Sequence, residues 1–141
     1  MKKVSENIPV SVGTSRSQEA EPYWQGLEQG VVKFQHCRAC GQAVFYPRTF
    51  CPYCMTEDAL EWRTSSGSGT VYTYSELIQP PTEADRDRVP YILGIVEMAE
   101  GFYLFGEIVP GEKRVDVGMA VRALAVEGRN GIPLLNFVPA G

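Results

Sequence analysis

Two short cysteine motifs decide the fold of this chain: Cys37-Arg38-Ala39-Cys40-Gly41 and Cys51-Pro52-Tyr53-Cys54. Each motif can form a tight knuckle that aims two thiolates at one point, and two knuckles complete a tetrahedron of sulfur ligands that suits Zn²⁺. Gly41 favours the first knuckle because glycine tolerates positive φ, whereas Met55 takes the corresponding place in the second. Four protein ligands leave no open position, so we expect a structural zinc ion held by Cys37, Cys40, Cys51 and Cys54.

Three other interpretations of this region stay open at the level of sequence. Iron in a rubredoxin-like redox site would use the same four sulfur ligands. A dithiol redox pair needs only one of the two motifs, which would leave the other without a role. His36 adjoins Cys37 and could replace one sulfur, although the four cysteines already fill a tetrahedral site.

The bulk composition limits the class of protein. The chain has 141 residues, of which 44% are hydrophobic and 21% are charged, a balance typical of globular domains. Its net charge of −4 argues against a phosphate-backbone binder, which usually carries a basic excess. Neither a membrane span nor an apolar leader is recognisable, so we expect a soluble, cytoplasmic protein. A reducing compartment also favours metal binding over disulfides.

The chain divides into three predicted parts: an N-terminal arm and helix at 1–32, a zinc ribbon at 33–63 and a barrel at 64–141. The helix is expected from Gln18 to Gln29, with Trp24, Leu27 and Val31 along one face and Gly30 as its stop. That face would dock inside the molecule or onto a partner. The segment 64–69, rich in serine and glycine, is a candidate hinge between ribbon and barrel.

Five short segments rich in β-branched and aromatic residues follow the hinge. Gly, Pro and Asn punctuate them, which predicts a small antiparallel barrel of five strands. Tight turns are expected at 99–101 and 128–131, and a charged, proline-bearing loop at 79–90. The predicted strands are Thr70–Ile78, Tyr91–Met98, Phe102–Val109, Ala120–Glu127 and Leu134–Val138. The fold class is therefore mainly β.

Aromatic residues on two of these strands raise the question of exposed faces. In a regular strand Tyr72 and Tyr74 share one face and Val71 the other, so the tyrosines could stack bases or line the core. The run from Phe102 to Phe105 cannot all point inward, and alternation places two of its four residues outside. An outward pair would suit a partner protein.

The residues give no support for catalysis by this chain alone. If every cysteine holds metal, none is free as a nucleophile. The sole histidine, His36, lies beside the metal site, so a Ser-His-Asp arrangement has no histidine to spare. Phosphate-binding glycine motifs are also missing. We therefore expect no catalytic residue here.

Over residues 20–139 the chain resembles the small bacterial and archaeal proteins known as domain of unknown function 35, or DUF35, in which a rubredoxin-like zinc ribbon precedes an OB-fold. The resemblance follows the order and spacing of four stretches, with Met55 departing from the commoner glycine. These stretches are 23–27 before the ribbon, the cysteine motifs with Tyr46-Pro47-Arg48 between them, 67–72 at the first barrel strand and 117–121 at a later strand.

The resemblance implies an accessory subunit of a thiolase-like acyl-CoA enzyme, with hydratases or aldolases of acyl-CoA metabolism as alternative partners. It also implies a possible role in binding coenzyme A or acyl-CoA. Arginine suits phosphate through bidentate hydrogen bonds, and the cationic candidates are Lys33, Arg38, Arg48, Arg86 and Arg88. A single-stranded nucleic-acid module is a further alternative, because ribbons and OB-folds both serve that role, although the acidic barrel opposes it.

Overall fold

The structure, a computed structural model, describes residues 17–83, 86–128 and 131–140. A 3₁₀ turn at Gln18–Ala20 leads into helix α1 at Glu21–Glu28, with Pro22 in its first turn, where a missing N–H is tolerated. Gly30 follows the helix with a φ of 84°, which confirms the predicted stop. The predicted arm at 1–16 lies outside the described residues, among which no helix is long and apolar enough to span a membrane.

The ribbon is a small antiparallel sheet around the cysteines. Its strands are β1 at Lys33–Cys37, β2 at Ala43–Val44 and β3 at Leu60–Thr64. Strand β1 lies in the centre, with β2 on one side and β3 on the other. Both cysteine motifs extend from one end of this sheet, because β1 ends at Cys37 and β3 begins after the second motif.

The barrel has five strands, as the sequence predicts, and each predicted strand agrees with an observed one to within two residues at either end. The strands are β4 at Ser68–Leu77, β5 at Tyr91–Met98, β6 at Tyr103–Ile108, β7 at Ala120–Glu127 and β8 at Pro133–Pro139. Their order around the closed barrel is β4-β5-β6-β8-β7. Pairing is antiparallel, as predicted, except between β6 and β8, which run parallel and depart from the prediction. Strand β4 pairs with β7 to close the barrel.

Glycines allow the close approach of barrel strands. A side chain at Gly106 on β6 would meet the backbone oxygen of Leu135 at 2.5 Å, where β8 crosses. The hairpin between β5 and β6 forms at the predicted position, with Gly101 at a φ of 99°. The hairpin between β7 and β8 starts at Gly128, whose N–H donates to the Ile132 carbonyl, while the predicted turn residues Arg129 and Asn130 lie outside the described residues.

One hydrophobic core runs through helix, ribbon and barrel. Phe34 of β1 stacks on Phe102, the residue before β6, with ring centroids 4.7 Å apart, and Phe45 stacks on the same ring at 5.6 Å. Leu27 of the helix belongs to this core together with buried residues of the barrel such as Val96. The helix face therefore docks inside the molecule.

Two further details of the sequence prediction are wrong. Val31 lies beyond the end of α1 and is only partly buried, and the core position is taken by Val32. Tyr72 and Tyr74 do not share a face, because a bulge between Val71 and Thr73 shifts the alternation of β4. Tyr72 is exposed, whereas Tyr74 packs against the core.

Hydrogen bonds hold the junction between ribbon and barrel, at the predicted hinge. The Ser65 N–H donates to the Val32 carbonyl at 2.8 Å. The Glu100 carboxylate, on the turn between β5 and β6, accepts from the Ser65 hydroxyl at 2.8 Å and from the Ser66 N–H at 2.7 Å. These bonds tie the end of β3 to the β5–β6 hairpin of the barrel.

Candidate metal centre

The two cysteine motifs form matching knuckles. In the first, the Gly41 N–H donates to the Cys37 carbonyl at 2.8 Å, and in the second the Met55 N–H donates to the Cys51 carbonyl at 2.9 Å. Gly41 has a φ of 79° and Met55 a φ of 63°, so both turns need a left-handed residue after the second cysteine. The second knuckle repeats the first although its sequence lacks the glycine.

The knuckles bring all four thiols together. The Sγ atoms of Cys37 and Cys54 lie 3.8 Å apart, those of Cys40 and Cys51 lie 3.7 Å apart, and all four fall within 4.8 Å of one another. A tetrahedron with zinc–sulfur bonds of about 2.3 Å has sulfur–sulfur edges of about 3.8 Å. The four cysteines therefore fit a structural zinc ion in both donor chemistry and spacing. Zinc bound here would stabilise the ribbon, which has a small core of its own.

The thiols influence one another's protonation. Hydrogen bonds with the side chain and backbone of Thr56 lower the pKa of Cys54 to about 6. At Cys40 a backbone hydrogen bond from Gln42 lowers the pKa, but desolvation and the three neighbouring thiols outweigh it and raise the pKa to about 12. Because thiolates this close repel one another, a cation between them is needed before all four can ionise together.

Burial is uneven across the site. Cys37 and Cys51, the first cysteine of each motif, are fully buried, whereas Cys40 and Cys54 are exposed. The buried pair joins Val44 and Ala59 in a second, smaller core beneath the metal position. One side of the site is therefore packed against the ribbon and the other faces solvent, so it is anchored from below by side-chain packing.

Gln35 supports the site in a way that sequence reasoning missed. Its buried side-chain amide donates to the Arg48 carbonyl at 2.9 Å and accepts from the Arg48 N–H at 2.7 Å. This bidentate contact mimics a strand pair and fixes the chain just before the second motif. Such a partner for Gln35 carries no local sequence signal, because the two residues are brought together only by the fold.

His36 is not part of the thiol cluster. Successive residues of a strand point to opposite faces, so His36 on β1 points away from the face that carries Cys37. Its Nδ1 lies 3.8 Å from the carboxylate of Glu61 on β3. Among the residues that the structure describes, the four cysteines alone form a cluster with metal-binding spacing.

The five candidate cations fall into two separate groups. Lys33, Arg38 and Arg48 belong to the ribbon, whereas Arg86 and Arg88 lie on the loop that joins β4 to β5. That loop is at the far end of the β4–β5 hairpin from the ribbon junction, and β4 alone is roughly 30 Å long. The structure therefore does not gather all five around one small site.

Three of the five cations already contact acidic or carbonyl groups. Arg38 donates to the Asp58 carbonyl at 2.7 Å. Arg86 pairs with Glu83 at 2.6 Å, and Arg88 pairs with Glu107 and lies over the ring of Tyr91. Arg48 differs from these, because its backbone is fixed by Gln35 while its side chain is exposed to solvent.

Comparison with known proteins assigns the two modules. Residues 24–61 match the family described as ChsH2, rubredoxin-like zinc ribbon domain, and residues 62–126 match ChsH2, C-terminal OB-fold domain. A structure titled Ltp2-ChsH2(DUF35) aldolase superposes with a TM-score of 0.76 at 27% identity, covering 89% of this chain and 97% of that one. These matches agree with the ribbon and the barrel described above.

Three relatives illustrate the range of the similarity. A DUF35 domain-containing scaffold protein of Methanothermobacter thermautotrophicus is 34% identical over 72% of this chain and 79% of its own length. The benzoylsuccinyl-CoA thiolase subunit BbsA of Thauera aromatica is 27% identical, over 75% and 73%. A probable enoyl-CoA hydratase alpha subunit of Thermomonospora curvata is 29% identical over 84% of this chain but only 36% of its own length. The chain belongs to the DUF35 family.

Proposed function

We propose that this chain is a non-catalytic, zinc-stabilised accessory subunit of an acyl-CoA enzyme. The observation that carries the proposal is the gathering of all four cysteines at one metal-binding point, in a family whose relatives include subunits of such enzymes. With its cysteines committed to metal and His36 facing Glu61, the chain offers no thiol and no histidine base for acyl transfer. The partner would bring the catalytic residues.

A thiolase-like enzyme is the first candidate for the partner. The thiolase relative is similar over about three quarters of both chains, so its resemblance extends over ribbon and barrel together. Hydratases and aldolases are the alternatives, since the same two modules occur in a hydratase alpha subunit and beside an aldolase. Cysteines that bind metal rather than form disulfides suit a reducing compartment, so we propose that the complex works in the cytoplasm.

Direct contact with coenzyme A is a further part of the proposal. A CoA molecule bound at the partner interface could reach the ribbon cations or the loop cations, but not both groups through one phosphate cluster. Arg48 is the best-placed residue of the set, because its backbone is held by Gln35 and its guanidinium is exposed. Lys33, Arg38, Arg86 and Arg88 remain candidates for weaker contacts.

Co-expression with an acyl-CoA enzyme encoded beside this chain tests the proposal. The expected result is a stable complex on size-exclusion chromatography, with an activity that the enzyme lacks when it is purified alone. Separate elution together with unchanged activity, tested in turn with thiolase-like, hydratase and aldolase neighbours, would contradict it. Arg48→Ala should raise the apparent KM for acyl-CoA in the complex if this residue contacts the ligand, with Arg63→Ala as a control on the same ribbon.

A further inference from the structure

The outer surface of the barrel carries an unusual group of exposed aromatic residues. Tyr72 of β4, Tyr103 and Phe105 of β6 are 58%, 46% and 65% exposed. The rings of Tyr72 and Tyr103 touch edge to face, with centroids 5.2 Å apart. Ile95 of β5 lies between the strands, opposite Phe105 on one side and Thr73 on the other. We call Tyr72, Ile95, Tyr103 and Phe105 the aromatic face.

A local irregularity of the backbone lies at the edge of the aromatic face. Without the bulge between Val71 and Thr73, the alternation of β4 would turn Tyr72 and Tyr74 to the same side. The bulge instead directs Tyr74 into the core and leaves Tyr72 outside beside Tyr103. Bulges often redirect a side chain near a functional site, so this one favours a role for the surface beyond folding.

The charges around this face select the kind of ligand. Strands β4, β5 and β6 contain three glutamates and no lysine or arginine; Glu107 is paired with Arg88 of the β4–β5 loop, and the other two are Glu76 and Glu97. Glu97 lies beside the aromatic face, where its carboxylate accepts a hydrogen bond from the Tyr103 hydroxyl at 3.3 Å. Stacking platforms for single-stranded nucleic acid combine aromatic rings with a cationic groove. Here the rings are present but the charge has the wrong sign for phosphate.

The same charges oppose pairing with a second copy of the chain. A twofold contact through the aromatic face would bring the Glu97 carboxylates of the two copies towards each other. An apolar surface with lysine or arginine at its edge would instead complement both the rings and the glutamates. The face therefore fits a different protein with a basic rim.

The size of the face matches the centre of an ordinary interface. A fully buried aromatic side chain removes about 150–250 Å² from water, so three rings about half exposed offer roughly 300 Å². A stable interface buries about 800 Å² on each partner, and its energy is concentrated in central aromatic residues with a polar rim. Resting on the proposed function, we infer that the aromatic face is the docking site for the partner enzyme subunit, which contacts it with an apolar patch rimmed by basic residues.

Single substitutions test this docking site in the co-expressed complex. Phe105→Ser and Tyr72→Ser should each weaken the complex at least tenfold in Kd, measured by titration calorimetry, while melting temperature and zinc content of the isolated chain stay unchanged. Leu124→Ser is the matched control, because Leu124 is 41% exposed on the outer side of β7. It should leave the affinity as it is.

A charge variant separates docking from general surface effects. Glu97→Lys should weaken the complex and reduce the dependence of its affinity on salt, because it reverses the attraction to a basic rim. If the wild-type chain forms the complex and Phe105→Ser, Tyr72→Ser and Glu97→Lys all bind as tightly, the docking site is overturned but the proposed function is not. A wild-type chain that forms no complex overturns both.

Two further outcomes would show that the aromatic face binds a different ligand and so overturn the inference. One is binding of a labelled single-stranded oligonucleotide to the wild-type chain that Phe105→Ser abolishes. The other is a homodimer seen by light scattering that the same variant converts to monomer. Both measurements use the full chain loaded with zinc.

Discussion

Met55 holds a left-handed backbone conformation that costs a non-glycine residue about 1 kcal/mol. Its side chain is 65% exposed and contributes little packing. We therefore predict that Met55→Gly raises the free energy of unfolding by about 0.5 kcal/mol, because the relief of strain exceeds the cost of the greater freedom that glycine gives the unfolded chain. Urea denaturation of the zinc-loaded chain measures the difference. The change relieves backbone strain in the second knuckle without touching a ligand.

Two neighbouring positions provide controls for this prediction. Ala39 lies in the first knuckle and has a negative φ, so Ala39→Gly should lower stability slightly by increasing the freedom of the unfolded chain. Gly41→Ala introduces the same strain that Met55 bears, and no heavy atom lies within 4 Å of the new Cβ. If Met55→Gly destabilises the chain as Ala39→Gly does, backbone strain is not the controlling factor.

The thiol cluster makes a prediction about metal content. The purified chain should be colourless and contain about one zinc ion per chain by atomic emission, because four thiolates with these spacings close a structural site. Cys51→Ser should lose most of the zinc and unfold at a lower temperature, as should the wild type after treatment with a strong chelator.

The identity of the bound metal also tests the alternative of a rubredoxin-like iron site. A protein that is red after aerobic purification, with iron in place of zinc, would contradict the zinc assignment. Ser65→Ala serves as a control, because Ser65 is buried outside the cluster and its replacement should leave the metal content unchanged.

The metal ligands themselves could be predicted from the sequence because their spacing is local. The Gln35–Arg48 contact could not, because it joins residues whose proximity depends on the finished ribbon.

At the scale of elements, the junction between ribbon and barrel depends on Glu100. Burial alone would raise its pKa, but hydrogen bonds from the Ser66 N–H and the Ser65 hydroxyl outweigh that effect and lower it. A carboxyl whose pKa is lower in the folded chain stabilises the fold above its unfolded value of about 4.3, and this contribution is lost as the pH falls through the folded pKa. Glu100→Gln should therefore lower stability by about 1 kcal/mol at neutral pH.

The pH dependence checks this prediction. The difference in unfolding free energy between wild type and Glu100→Gln should be full above about pH 5 and shrink towards zero below about pH 4. Acid release of metal affects both proteins alike, so the difference isolates the carboxylate. Glu112→Gln, on the exposed loop after β6, is the control and should show no such difference. A constant difference between wild type and Glu100→Gln at all pH values would contradict the explanation.

The elements of the barrel could be predicted well because turn residues and β-branched runs mark them locally. Strands β5 and β7 have the predicted limits, and the β5–β6 hairpin forms where Gly101 indicates it. Alternation also predicted that two of the four residues from Phe102 to Phe105 face outward, and in the structure these two are Tyr103 and Phe105. It failed at Tyr74, which does not share the face of Tyr72, because a bulge depends on pairing with β5, which a single strand does not reveal.

At the scale of the whole molecule, the stacking of Phe102 on Phe34 and Phe45 joins ribbon to barrel. Phe102→Ala should lower the free energy of unfolding by about 3–5 kcal/mol, because it leaves a cavity between the two modules. Urea denaturation followed by far-ultraviolet circular dichroism measures the loss. In the wild type, one core predicts a single unfolding transition shared by both modules.

A second phenylalanine shows whether the loss of unfolding free energy depends on the buried position or only on the removal of an aromatic ring. Phe105 lies three residues after Phe102, on strand β6, but its ring is exposed. Phe105→Ala should change the unfolding free energy by no more than about 0.5 kcal/mol. Two separate transitions in the wild type, or equal losses in the two variants, would show that ribbon and barrel do not share a cooperative core.

The closure of the barrel also sets an order of events during synthesis. The metal ligands lie close together in the chain, and they leave the ribosome well before residue 120. Strand β4 must wait for its partner β7, and β8 inserts between β6 and β7 only at the end. Contacts between distant segments form slowly. A nascent chain can therefore capture its metal ion while the edges of the unfinished barrel are still unpaired, so those edges are the part most in need of protection by chaperones.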